Sequence, residues 1–442
     1  MNRAAGSNAR MSALALLAAV LDDGQNLSDA SPGGAGLDPR DRAFARHLAY
    51  GVLRWRSALE WLASGLLNQP LKRRDRDIQR LILLGLYQLW QDETSPHAAI
   101  NETTECARLA GKTWAVGLVN GVLRRFQRER DARIAALEKT EHALAHPAWL
   151  LQALRQDWPE NWKRIAQANN LPAPLWLRLN ARHDEAATLG RLQQDGLAIT
   201  RHPLVETAVR IEPARNVDQL PGFSEGLISV QDPAAQLAVE LLAPGPGQRV
   251  LDACSAPGGK TGHLLEAQAD IQLTALDRSA ARLQRVRENL QRLRLADPAA
   301  DGGAVRLLAE DAAETSAWWD GKPFQRILLD APCTATGVIR RHPEIKWLRS
   351  TEQVGEAVRL QRTLLDRLWP LLETGGMLLY ATCSILQEEN NLQIKAFLDR
   401  TADAEEVALQ ADWGRAMSPG RQILPGEYEM DGFFYALLRK TS

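Results

Sequence analysis

Four cysteines are spread through the 442 residues of this chain: Cys106, Cys254, Cys333 and Cys383. None belongs to a CxxC pair and no His is spaced to complete a zinc site, so the sequence implies no metal. Their scatter forms no disulfide framework and points to a reducing, intracellular compartment. Two of them share a setting. Asp330-Ala331-Pro332-Cys333-Thr334 and Tyr380-Ala381-Thr382-Cys383-Ser384 each continue a short apolar run that reads as a strand. A single Cys is most often a small buried hydrophobe. Two of them just past the carboxyl ends of parallel strands stand where open α/β sheets line a ligand crevice. A thiolate there can attack an electrophilic carbon and form a covalent intermediate.

Another strand end carries Leu251-Asp252-Ala253-Cys254-Ser255-Ala256-Pro257-Gly258-Gly259-Lys260-Thr261. Small residues let a backbone turn approach a ligand closely, and the following helix offers free N–H groups. The next strand ends at Asp277, eighteen residues past Gly259; an acid there can accept hydrogen bonds from both hydroxyls of a ribose. A P-loop needs Gly where Cys254 stands, and a dinucleotide loop needs a GxGxxG that is absent. A bare structural turn is the bland alternative, and the whole string with its acid speaks against it. Lys260 either contacts a cofactor, orients Asp330, or holds its charge in water at a helix start.

These strand ends must be positioned by a sheet. From Pro244 onward the runs Arg249–Ala253, Gln272–Leu276, Ala304–Leu308, Arg326–Leu329 and Met377–Tyr380 alternate with helical stretches such as Ala280–Leu293 and Glu352–Leu368. That alternation predicts an open, mostly parallel sheet with helices on both faces over residues 236–442. Residues 141–235 mix short helices at His146–Leu150 and Trp158–Glu160 with strands at Leu175–Asn180 and Val209–Ile211, a small α/β connector. Gln231-Asp232-Pro233 starts a helix. Residues 1–140 read as all-helical, with helices over Ala43–Leu62, Arg76–Trp90, Ala98–Leu109 and Trp114–Arg128. The apolar stretch Ala13–Val20 behind Arg3 and Arg10 mimics a signal peptide but lacks a small-residue cleavage site, so it reads as a buried first helix. Gly24–Gly36 reads as a variable loop. No apolar run is long enough to span a bilayer.

A net charge of −1 does not announce a nucleic-acid binder. Residues 1–150, however, hold 20 Lys and Arg against 16 Asp and Glu, a mildly basic front end. Its basic residues Arg42, Arg54, Arg124 and Arg125 either face a polyanion or cover the bundle. Arg340-Arg341-His342-Pro343-Glu344-Ile345-Lys346-Trp347, just after Cys333, reads two ways: phosphate contact with base stacking, or a solvated loop anchored by one Trp.

The string Asp252–Thr261 resembles the S-adenosylmethionine loop of the Sun/Nop-type RNA cytosine-C5 methyltransferases. Gln231–Gln236, Leu424-Pro425 and Asp431–Phe434 resemble further elements of that family. Asp41–Trp55 and Val119–Arg125 resemble the NusB antitermination fold. A NusB-like domain fused to this catalytic domain is the arrangement of the bacterial RsmB-type subfamily, whose substrate is 16S ribosomal RNA. The resemblance implies a three-part chain: an all-helical NusB-like RNA-binding domain, a small α/β connector, and a Rossmann-like S-adenosylmethionine-dependent methyltransferase domain. It implies cofactor contacts from Cys254, Ser255, Ala256, Pro257, Gly258, Gly259 and Lys260, a ribose contact from Asp277, and adenine-side contact from Asp311 in Glu310-Asp311-Ala312. On residue type alone, Asp311 is equally a solvated loop acid.

The implied reaction explains the thiols. Carbon 5 of cytosine is a poor nucleophile until a thiolate adds to carbon 6. A base must then remove the carbon 5 proton so that the thiolate can leave. Asp330 is the candidate to hydrogen-bond the ring nitrogen N3 and ease attack. The chemistry leaves open which Cys attacks, since DNA cytosine methyltransferases attack from a Pro-Cys dipeptide, here Pro332-Cys333. In the RNA family resembled here the Thr-Cys-Ser cysteine attacks, so the resemblance implies attack by Cys383 and release assisted by Cys333. The lack of a large target-recognition insertion disfavours DNA, and the NusB-like front end disfavours transfer RNA. An intact loop, Asp330 and both cysteines disfavour a decayed, non-catalytic RNA-binding factor. The expectation is a cytoplasmic monomer with 16S ribosomal RNA as partner, no membrane attachment and no obligate protein partner.

Overall fold

The computed structural model describes residues 3–30, 37–92, 94–295 and 303–442. Residues 31–36 of the expected loop Gly24–Gly36 lie outside them. The chain divides into two compact units, one ending at Pro172 and adding Ile339–Ser350, the other formed by Ala173–Val338 and Thr351–Ser442.

The first unit is helical: α1 (Arg3–Leu21), α2 (Pro39–Ser64), α3 (Arg76–Trp90), α4 (Pro96–Leu109), α5 (Trp114–Leu137), α6 (Ala148–Asp157) and α7 (Trp162–Asn169). Helix starts follow capping chemistry. The Asp38 carboxylate accepts from Asp41 N at 2.8 Å ahead of Pro39, and Ser95 caps α4 ahead of Pro96. The expected signal-peptide mimic is a core helix, with Ala13, Leu16, Leu17 and Val20 fully buried. Helix α3 is the spine, buried at every position from Ile78 to Leu89 except Gln79. Helix α5 runs past the expected end at Arg128 to Leu137. Its polar stretch hides the apolar period, and Glu129 instead joins Arg125 and Arg133 one turn away on either side.

In the second unit β1 (Trp176–Leu179), α8 (Glu185–Gln194), β2 (Ala198–Arg201), β3 (Ala208–Glu212) and β4 (Ile228–Val230) build a four-stranded antiparallel sheet in the order β2-β3-β1-β4. Asp232 then caps α9 (Pro233–Leu242), accepting from Ala234 N at 2.9 Å. The chain continues through β5 (Gln248–Asp252), α10 (Gly259–Ala267), β6 (Ile271–Leu276), α11 (Ala280–Arg292), β7 (Val305–Leu308), α12 (Thr315–Trp318) and β8 (Phe324–Asp330). After the excursion of Ile339–Ser350, which holds α13 (Ile345–Leu348), come α14 (Thr351–Leu368), β9 (Leu372–Thr382), α15 (Asn391–Arg400), β10 (Ala404–Val407), β11 (Arg415–Ala416), β12 (Arg421–Ile423) and β13 (Phe433–Lys440).

Among the described residues, β5 to β13 form one sheet in the order β11-β12-β13-β9-β8-β5-β6-β7, with β10 also on β13. Strands β9, β8, β5, β6 and β7 are parallel, and β10 to β13 join antiparallel. The strand order reverses at β5, with β6 on one side and β8 on the other. The crevice beyond the carboxyl ends of such strands is where open α/β sheets bind ligands.

The segment after Cys333 corrects both expectations held for it. It is neither a phosphate-reading loop nor a solvated one, because it packs into the helical unit. Lys346 is 1% exposed and donates to Arg54 O, Ala145 O and Asn170 Oδ1. The Trp347 indole donates to Leu53 O at 2.7 Å under the Arg56 guanidinium. Arg54 is turned inward as well, donating to Arg340 O at 2.9 Å. Of the four basic residues expected either to face a polyanion or to cover the bundle, Arg54 is therefore internal. Among the described residues no helix is long and apolar enough to cross a membrane.

Candidate active site

Strand β5 ends in buried Asp252, and the chain turns through Ala253–Gly258 into α10. Gly258 has φ +97°, and a Cβ there would sit 3.1 Å from Val286 Cα, so only glycine fits this turn. Ser255 is buried and fastens the loop to β6, since its N and Oγ both donate to Leu276 O at 2.8 and 3.0 Å. Thr261 Oγ1 donates to Asp252 Oδ2 at 2.7 Å. Burial pushes the Asp252 carboxyl up to about 7, opposed by that Thr261 bond.

A further anchor was not legible in the sequence. Arg178 of β1 is fully buried, grips both Glu266 oxygens at 2.8 and 2.7 Å, and donates to Gly259 O at 2.9 Å. The connector sheet thereby holds the start of α10. Breaking a buried, bidentate pair of this kind by removing one partner typically destabilises by about 3–5 kcal/mol.

A cavity of about 260 Å³ opens over these strand ends. Cys254, Ala256, Asp277, Asp311, Asp330, Cys333 and Cys383 all line it. Ser255, Pro257, Gly258, Gly259 and Lys260 do not; they shape the turn beneath it. Asp277 is buried at the end of β6, with Oδ1 accepting from Ser279 N at 2.9 Å and Arg282 at 3.6 Å from Oδ2. Asp311 is exposed and accepts from Ala313 N at 2.9 Å. Burial pushes the Cys254 thiol up, aided by Asp252, so it remains a neutral wall residue. Arg278 and Arg282 also line the cavity and were not anticipated; cations on a strand-to-helix turn carry no distinctive spacing.

The two thiols meet. Cys333 Sγ and Cys383 Sγ are 3.5 Å apart at the ends of adjacent strands β8 and β9. Their loops are packed backbone to backbone. Gly337 N donates to Cys383 O at 2.8 Å, and a Cβ on Gly337 would lie 2.1 Å from Gly432 O. Lys260 Nζ donates to Asp330 Oδ2 at 2.6 Å, which excludes the reading of Lys260 as a charge held in water. Burial draws the Lys260 proton affinity down, but the charge and hydrogen bond of Asp330 outweigh this and raise it, with Cys383 adding to the rise. The hydrogen bond to Cys383, then burial, then the charges of Cys383 and Glu389 push the Cys333 thiol well above its ordinary value.

Glu389 is a site-supporting residue that no sequence pattern marked. It is fully buried and accepts from Thr334 N at 2.8 Å, Thr334 Oγ1, Ser384 Oγ, and Gln361 Nε2 at 3.2 Å. One carboxylate thus fastens the residue after each cysteine.

A family model described as 16S rRNA methyltransferase RsmB/F matches residues 239–439, the NusB family matches 7–128, and the ferredoxin-like domain of RsmF/B-like methyltransferases matches 146–218. The chain is 49% identical to "Ribosomal RNA small subunit methyltransferase B" of Pseudomonas putida, covering 98% of this chain and 99% of that protein. It is 44% identical to the protein of the same name in Escherichia coli strain K12, covering 98% and 99%. The crystal structure of PH0851 shares the fold with a TM-score of 0.80 at 22% identity, over 98% of this chain and 99% of that one. With near-complete coverage at almost half identity, and with a helical unit, a ferredoxin-like sheet and a methyltransferase sheet in the matching order, this chain belongs to the RsmB/F family of 16S ribosomal RNA methyltransferases.

Proposed function

We propose that this chain transfers a methyl group from S-adenosylmethionine to carbon 5 of one cytosine in 16S ribosomal RNA, through a covalent bond from Cys383 to carbon 6. The observation that carries this reading is the pair of thiols, 3.5 Å apart, in the same cavity as the loop acids. The residues present suit the methyl donor. Gly258 leaves room where a Cβ would crowd the turn, and Asp277 faces the cavity at the place that suits a ribose. Residues Cys254–Lys260 and Asp277 would hold the donor, with Asp311 toward the adenine. S-adenosylmethionine supplies, when bound, a methyl group on a cationic sulfur.

The remaining chemistry falls to the chain and the cytosine. The Cys383 thiolate adds to carbon 6, and the ring electrons move to carbon 5, which becomes nucleophilic. Asp330, held by Lys260, takes in this reading the role of sharing a proton with N3, which eases that addition. After methylation a base takes the carbon 5 proton, and the C6–S bond returns its electron pair to Cys383. Cys333, at hydrogen-bond distance, steadies the departing sulfur.

The helical unit supplies RNA docking in this reading. A groove of about 920 Å³ lies between residues 66–75, which follow α2, and the first half of α5. Trp114, 56% exposed, is among the residues that line it. Lys72, Arg74, Arg125 and one acid, Asp75, line it together with Gly117 and Gly121, where a Cβ would meet open space. Cations beside an exposed indole suit a phosphate backbone with a base stacked on the ring.

Bisulfite mapping of ribosomal and transfer RNA from cells with and without the protein tests the substrate. A protein-dependent 5-methylcytosine in 16S RNA is expected, and its absence sinks the proposal. Cys383→Ala is expected to abolish transfer while donor binding by calorimetry persists. Cys333→Ala is expected to accumulate a thiol-sensitive protein–RNA complex on denaturing gels. Near-normal activity in Cys383→Ala reverses the assignment.

A further inference from the structure

We infer that Cys333 and Cys383 are a modification site as well as a reaction site: hydrogen peroxide joins the two sulfurs in a disulfide that switches methyl transfer off until a dithiol reductant opens it. The bridge stands on geometry, and its effect on turnover rests on the thiol chemistry proposed above. Which of the two thiols attacks the cytosine does not matter to it.

The backbone brings the sulfurs within reach of each other. Strands β8 and β9 pair in parallel as far as Asp330 opposite Ala381, and just beyond Ala331 N donates to Ala381 O at 2.8 Å. The two cysteines follow side by side. Neighbouring strands lie about 4.8 Å apart, inside the span of about 4.4–6.8 Å over which a disulfide joins two Cα atoms. The sulfurs are 3.5 Å apart and the bond is about 2 Å long, so closure needs an approach of about 1.5 Å. That approach falls to the side-chain torsions, because the loops behind are fastened. Gly337 N donates to Cys383 O at 2.8 Å, and the one Glu389 carboxylate accepts from Thr334 and Ser384, the residues that follow the two cysteines.

Both sulfurs are also open to a small oxidant. Cys333 and Cys383 are partly exposed and line the same cavity of about 260 Å³, far larger than a peroxide. Cys106 is buried in the helical core. Cys254 lines the cavity too and packs against the core cluster of Leu276 and Phe324, which makes it an internal control.

The step balances. One sulfur attacks the peroxide; its S–O bond forms as the O–O bond breaks, and hydroxide leaves. The second sulfur then displaces hydroxide from that sulfenic acid, and the S–S bond forms. The two thiol protons turn both hydroxides into water, and the sulfurs lose the two electrons that the peroxide gains. A second thiol at contact distance separates a reversible state from lasting damage. A sulfenic acid beside a thiol condenses to a disulfide, whereas one left alone with peroxide goes on to a sulfinic acid that thiols do not restore. While the bridge is closed, neither sulfur adds to carbon 6 and neither assists release.

The test treats the full-length protein, free of donor and RNA, with one molar equivalent of hydrogen peroxide. Remaining thiols are alkylated with iodoacetamide, and peptides are mapped by mass spectrometry without reduction. The expected product joins the Cys333 and Cys383 peptides, with Cys106 and Cys254 alkylated. Methyl transfer falls in proportion to the bridged fraction, and dithiothreitol restores it. In Cys333→Ser no bridge forms, and under repeated peroxide Cys383 ends as a sulfinic acid that dithiothreitol does not reverse. Wild-type oxidation that ends as sulfinic acid, or that bridges Cys254 or a second molecule instead, overturns the inference. A bridged protein that still transfers methyl groups overturns it as well. Failure of the reading above shows separately, as methyl transfer by Cys383→Ala in reducing buffer.

Discussion

Among the described residues Lys346 is buried and Lys260 largely so, one in each unit, and they are used in opposite ways. Lys260, under the methyltransferase cavity, faces the Asp330 carboxylate at 2.6 Å and keeps its charge. Lys346, in the helical unit, faces three neutral oxygens at 3.0, 3.0 and 2.5 Å. Burial, with the Arg54 guanidinium adding to it, drives the Lys346 proton affinity well below that of an ordinary lysine. An ammonium without an anion is costly in a desolvated place, and at Lys346 three acceptors, one for each N–H, offset that cost. A buried lysine therefore signals a working charge when a carboxylate accompanies it, and a structural pin when only carbonyl groups do. Residue type alone does not separate these cases. Lys346, beside arginines and a Trp, looked more like an RNA contact than Lys260 did.

Swapping each lysine for methionine puts the comparison at risk. Lys260→Met should reduce methyl transfer at saturating substrates about 100-fold, the usual scale for removing one charged group aimed at a reacting centre. Lys346→Met leaves three acceptors unpaired and should lower the stability of the helical unit by about 3 kcal/mol, with turnover per folded molecule unchanged. Urea unfolding beside single-turnover kinetics reads both. If Lys346→Met loses turnover while folded, or Lys260→Met keeps it, the distinction fails.

The sequence exposed what is local and periodic. Helix α3 falls on the expected Arg76–Trp90, and β5, β6, β8 and β9 each cover their expected runs to within a residue of the inner end. The cavity residues Cys254, Asp277, Asp330, Cys333 and Cys383 were legible because loops at strand ends carry them and an open parallel sheet brings those ends together. Arg178, Glu389 and the fate of Ile339–Ser350 were not. Each depends on a partner far away in the chain: Arg178 on Glu266, Glu389 on Thr334, Lys346 on Ala145 and Asn170. Strand β2 was missed for another reason. It is an edge strand with three of its four residues exposed, so it has no apolar face to show a period of two.

Asp252 extends the comparison to a buried acid. It lacks the facing ammonium that Asp330 has, and burial lifts it to about 7. Its folded-state affinity for a proton exceeds that of the unfolded chain. The stability from its neutral form is therefore complete below about pH 4 and is lost as pH rises through 7. Between pH 5 and pH 8 the loss should be about 2 kcal/mol. In Asp252→Asn, which keeps an acceptor for Thr261, it should vanish. Urea midpoints at the two pH values check this, and an equal pH slope in both proteins refutes it.

The smallest effects expected lie on the helical groove, where a position can be poor for the fold and good for a ligand. Gly117 and Gly121 sit one turn apart inside α5, and a Cβ on either would meet nothing within 4 Å. Packing within the protein does not require them. Each glycine destabilises a helix interior by about 1 kcal/mol relative to alanine. An outside surface that approaches the helix closely does require them. Gly117→Ala and Gly121→Ala should each stabilise the helical unit by up to about 1 kcal/mol and yet weaken RNA binding severalfold. Trp114→Ala should weaken binding about tenfold, within the range for losing one stacked base, with turnover at saturating RNA unchanged. Filter binding at fixed salt and thermal unfolding give the two signs. If the alanines stabilise and binding is untouched, these positions face only water, and the RNA must dock on another face of the helical unit.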